Sequence, residues 1–140
     1  MTTVRRLVIA GLASATLVLA ASGPAAASPR AQFGPLTDTF TDVDPCTGRT
    51  HTVTLVQTFF VHEHGDRFIG KGVTTISTSS GYVGRGHSSF VVNGNIEAGR
   101  FTDILTRPSG DRIRAQGVAV TDARSGTVRV ERFTLTCVGS

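Results

Sequence analysis

Beyond its first 27 residues the sequence has no stretch in which apolar side chains recur every 3.6 positions. That absence excludes helical bundles and helix-covered parallel sheets. Lysine is nearly missing too. Lys71 is the only one, and arginine supplies every other basic side chain, as the codon bias of a GC-rich genome would. An excess of charge is also lacking. Of the 14 basic residues 12 lie after residue 27, together with all 10 acids, which leaves a net charge of +2. So small a surplus points to neither nucleic acid nor a membrane surface as partner. Cysteine is limited to Cys46 and Cys137, and no obviously rigid exposed loop accompanies them, which weighs against a secreted inhibitor module.

What is present begins with the N-terminus. Arg5 and Arg6 precede the apolar run "LVIAGLASATLVLAASG", which closes on Ala25-Ala26-Ala27. This order of basic, apolar and small residues predicts a signal peptide over 1–27, removed on export, so that no membrane segment remains. The protein is then expected to be extracellular. In that setting an even pair of cysteines predicts the disulfide Cys46–Cys137. A loop of that length implies a chain-entropy stabilisation of roughly 4.5 kcal/mol at most.

Residues 28–36, "SPRAQFGPL", carry two prolines, a glycine and no periodicity, and predict a flexible lead-in. From 37 to 140 a single domain is expected. β-Branched runs fall at 37–43, 51–62, 67–78, 82–92, 96–106, 112–122 and 127–137, separated by turn residues such as "DPCTG", "NGN" and "RPSGD". The pattern predicts an all-β, antiparallel up-and-down meander of six to eight strands. Counting the strand at 51 as the first, Cys46 lies just before the first and Cys137 at the close of the sixth, so both fall at one end of the meander. They meet only if the sheet curls, which predicts closure into a small barrel, with a β-sandwich as the alternative. Glycines 70, 72, 84, 86, 99 and 117 interrupt strands and mark bends or close backbone approaches. In the last strand Val128 and Val130 have one parity, Phe133 and Leu135 the other, which predicts a β-bulge near Glu131-Arg132.

Chemistry concentrates in "VHEHGDRF", 61–68. His62 and His64 share a strand face and are the candidate metal ligands, with Asp66 able to join from the turn. The third ligand would have to be His51 or His87, at spacings that match no zinc motif. Gly65-Asp66 is turn chemistry, so the expected reading is a solvated hairpin tip without metal. No cofactor is expected. Gly84-x-Gly86 has Ser89 where a dinucleotide loop needs its last glycine. "GHSS" lacks the second glycine of a nucleophile elbow. Glu97 and Asp103 share one face of their strand, with Phe101 between them. Arg112, Arg114 and Gln116 share a face of the next. If that face turned inward, Arg112 and Arg114 would line a lumen suited to an anionic head group. If it turned outward, Ile113, Ala115 and Ala119 would form the core.

An Asp-Pro-Cys-Thr-Gly turn (44–48), a Phe/Val-rich strand ending in histidine, a glycine-rich middle and a terminal cysteine together resemble a family of small exported actinobacterial β-rich proteins of unknown function. The resemblance implies export and no catalytic residues. The expected function is non-catalytic binding of a small amphipathic ligand. One alternative is a small barrel enzyme using His62, His64 or His87 with Glu63 or Asp66. The other is an extracellular protein–protein interaction or inhibitor module. The oligomeric state is not legible.

Overall fold

The computed structural model describes residues 30–139. The expected signal peptide, 1–27, lies outside the described residues. Seven strands follow one another: β1 Ala31–Val43, β2 Thr50–His64, β3 Arg67–Thr78, β4 Val83–Asn93, β5 Ile96–Thr106, β6 Arg112–Asp122 and β7 Val128–Cys137. They form one antiparallel sheet in sequence order. The meander arises because each strand is bounded by residues that favour a reversal. Gly65 (φ 62°) and Gly94 (φ 57°) take the left-handed position in two-residue hairpins, closing His64↔Arg67 and Asn93↔Ile96. Glycine at the first loop position is the requirement of a type II′ turn.

The sheet curls. Phe40 of β1, Val53 and Leu55 of β2, Ile76 of β3, Leu105 of β5 and Ile113 of β6 pack in one buried cluster, which Tyr82 closes. A flat sheet would hold β1 and β6 about five strand spacings apart, roughly 24 Å. Cys46 and Cys137 are disulfide-bonded with their Cα atoms 4.9 Å apart. The bond ties the β1–β2 turn to the end of β7, as the even number of strands between them, β2 to β7, requires. β1 and β7 are not hydrogen-bonded to each other, so the sheet is curled but unclosed.

Two expectations need correction. Residues 31–36 are not a flexible lead-in: they are the first half of β1 and pair with β2 from Ala31↔Val61 onward. Their missing periodicity has a local cause, a register shift between Phe33 and Leu36 at Gly34-Pro35. Proline is tolerated there because β1 is an edge strand. The expected bulge at Glu131-Arg132 lies earlier in β7. Val120 pairs with Val130 and Thr121 with Val128, which leaves Arg129 as the extra residue. Val130 stays on the outer surface, half exposed, so Phe133 and Leu135 turn inward without a further break.

Candidate functional site

The concave face is built in cross-strand rows. The middle row runs Phe59, Gly72, Ser88, Phe101, Gly117, Phe133 from β2 to β7. Glycines alternate with rings for a steric reason. A Cβ on Gly117 would overlap the Phe101 ring, and one on Gly70 would overlap the Phe90 ring. These rings fill the side-chain space of a glycine on the neighbouring strand, so these glycines are close approaches rather than corners.

The next row toward the disulfide is Gln57, Thr74, Gly86, Asp103, Ala115, Leu135. It places the Asp103 carboxyl among mainly apolar side chains, with the hydrogen-bonded pair Gln57 and Thr74 at its β2–β3 end. Asp103 lines a cavity of about 50 Å³ together with Phe101, Leu105, Ala115, Phe133 and His51. Its cross-strand neighbours are Gly86 and Ala115, the smallest side chains available. A Cβ on Gly86 would occupy the space of the Asp103 carboxyl. Among the described residues Asp103 has no salt bridge, and no hydrogen-bonding group satisfies it. Burial therefore acts unopposed and pushes its pKa up to about 7. Glu97, buried near the opposite end of β5, is also raised by burial.

At the disulfide end the wall is closed by the "DPCTG" turn. Asp44, 1% exposed, accepts hydrogen bonds from Cys46 N (2.8 Å) and Thr47 Oγ1 (2.8 Å). Burial would raise its pKa, but these bonds and the nearby His51 outweigh that and hold it below the usual carboxylate range. Tyr82, fully buried, donates its hydroxyl to Asp44 at 3.5 Å. His51, 6% exposed, is engaged through Nδ1 with Ser80 Oγ at 2.7 Å and meets the Tyr82 ring edge-on. The turn thus presents Cys46 to Cys137 and plugs one end of the concave side.

The residues singled out from sequence are placed differently. His62, Glu63, His64 and Asp66 stand exposed at the β2–β3 hairpin tip. His87 is exposed on the convex face of β4. His62, His64 and His87 are thus not brought together with the cavity, and among the described residues no group of three His, Cys, Asp or Glu is placed to hold a metal ion. Arg112 and Arg114 are exposed, while Ile113 and Ala115 between and beside them are buried. Of the two orientations that the sequence left open, the structure has the outward one, so Arg112 and Arg114 line no lumen and Ile113, Ala115 and Ala119 form the core face. Strand alternation sends both arginines outward as soon as Ile113 enters the core. The concave side instead carries the acids Asp42, Asp103 and Glu97, beside neutral polar groups such as Thr74 and Ser88. Asp103 was detectable from Phe101 and Leu105 two positions on either side, which share its face.

No family model, curated protein or solved structure matches the chain.

Proposed function

We propose that the protein is a non-catalytic binding protein, exported from the cell, whose concave face takes a small amphipathic ligand with a cationic or hydrogen-bond-donating head. The observation that carries this reading is Asp103, a carboxyl with no side-chain partner among the described residues, seated over Gly86 and beside Ala115 on a largely apolar wall. Asp103 is half-buried, so a ligand donor there would pair with a carboxyl that burial has already partly stripped of water. A ligand ammonium or N–H supplies the missing donor, and Phe101, Leu105 and Phe133 supply the surface for its tail. The volume of about 50 Å³ sets the scale. It suits a short alkyl or small cyclic tail rather than a fatty chain. Export is supported by the signal-peptide pattern of residues 1–27 and by the disulfide, which is consistent with an extracellular protein.

The test is an amide-resolved NMR titration at pH 7.5 with butylamine and, separately, butyrate. The reading expects saturable shifts at Asp103, Leu105 and Ala115 with butylamine only, abolished in Asp103→Asn. Equal response to butyrate, or no response to either, rejects it.

A further inference from the structure

The sheet sorts its charges by face. Lys71, Arg85, Arg100, Arg112, Arg114 and Arg132 all have convex parity and are exposed, whereas Asp38, Asp42, Glu97 and Asp103 have concave parity. The ion pairs among the described residues, Arg107–Asp111 and Arg129–Asp122, involve turns and the bulge and none of those six cations. A chain of net charge +2 after residue 27 thus carries a face with a much larger local surplus.

Three of the cations fall on one line. The convex row beside the Phe/Gly row runs Phe60, Lys71, Ser89, Arg100, Val118, Arg132. Alternate strands supply the charges, so they recur about every 10 Å. The Arg30 guanidinium lies over the Phe60 ring at 4.9 Å and extends the line by one more charge. Two shallow grooves follow this line and share Arg100 as a wall, one of about 560 Å³ toward Lys71 and one of about 320 Å³ toward Arg132. Ser89 and Val118 stand between the charges in this row, and Thr102 and Gln116 lie in the row beside it and line the grooves.

We propose that this convex track binds a linear anionic polysaccharide. Evenly spaced cations match a chain with repeating acidic groups, and the hydroxyls and amide lining the grooves beside them match sugar hydroxyls. Among the described residues the face has no free aromatic ring on which bases would stack, since Phe60 is already covered by Arg30. It is also convex, so a flat lipid surface meets only part of the track while a flexible chain follows the curve. The inference is independent of the concave site.

The probe is a fluorescein-labelled heparin dodecasaccharide, followed by anisotropy against the folded protein, with neutral dextran as the control. Saturable, salt-sensitive binding is expected, with none to dextran. The triple variant K71Q/R100Q/R132Q should bind about tenfold more weakly or worse, and R112Q/R114Q, equal in kind but off the line, should change by less than about threefold. Melting temperatures identify any variant that fails to fold. In that event Arg100→Gln alone should lose about threefold. The proposal is overturned by absent binding, by equal losses from the on-line and off-line substitutions, or by tighter binding to single-stranded oligothymidylate or to phosphatidylglycerol vesicles.

Discussion

Asp103 is the residue on which the concave site turns. Burial raises its folded pKa to about 7, whereas the unfolded chain ionises near 3.8. Across that window the folded state holds a proton that the unfolded state has released. Stability therefore falls as pH rises from about 4 to about 7 and levels off above. Asp103→Asn removes the penalty. It should leave stability nearly unchanged at pH 4 and raise it at pH 8 by up to about 4 kcal/mol, read from urea unfolding at the two pH values. Asp44 is depressed rather than raised, so its contribution is lost only as the pH falls below about 3.8. The two acids act in separate windows. Gly86 offers a second check on the same contact. Gly86→Ala should cost about 1–3 kcal/mol through overpacking against the carboxyl, and less than about 1 kcal/mol when Asp103 is already alanine. A cost unchanged by the second substitution would mean that the two residues do not share that space.

At the scale of elements, the sequence was most legible where strand alternation and turn residues agree. β2 through β7 fall within a few residues of expectation because Gly65, Gly94 and the "RPSG" reversal mark their ends unambiguously. β1 was only half legible. The shift at Gly34-Pro35 breaks its alternation, and its pairing with β2 is a long-range contact that no local pattern records. The faces were harder than the strands. Arg112/Arg114 against Ile113/Ala115 is a choice of inside from outside, which a single strand leaves open and the cluster around Ile113 decides. The "DPCTG" turn proved structural. Its aspartate orders the backbone that presents Cys46 and receives the Tyr82 hydroxyl, so Asp44→Ala should cost about 2–3 kcal/mol by leaving buried donors unmet. Substituting His62 and His64 together by alanine should change stability by less than about 0.5 kcal/mol, because both are exposed at a hairpin tip. Thermal melts of the two variants separate a structural turn from a solvated one.

Across the whole molecule, one covalent link stands in for the hydrogen bonds that β1 and β7 do not make. Replacing Cys46 and Cys137 by alanine should lower stability by about 3–4.5 kcal/mol through the chain entropy of a 91-residue separation. The core at the disulfide end, around Tyr82 and Ile113, should loosen before the cluster of Phe59, Val61 and Phe90 at the other end. Hydrogen exchange of the variant would show that order. The same curl divides the surface into an acidic concave side and a basic convex side, so a modest net charge conceals two opposed faces. The central claim is that the concave side holds an unpaired, proton-bearing carboxyl awaiting a donor. It is tested most directly by a ¹³C NMR titration of the Asp103 carboxyl, alone and with saturating butylamine. The account predicts a midpoint at about 7 in the free protein, and a lower one once an ammonium group stabilises the carboxylate. A free-protein midpoint near 4, or one indifferent to the amine, would contradict it.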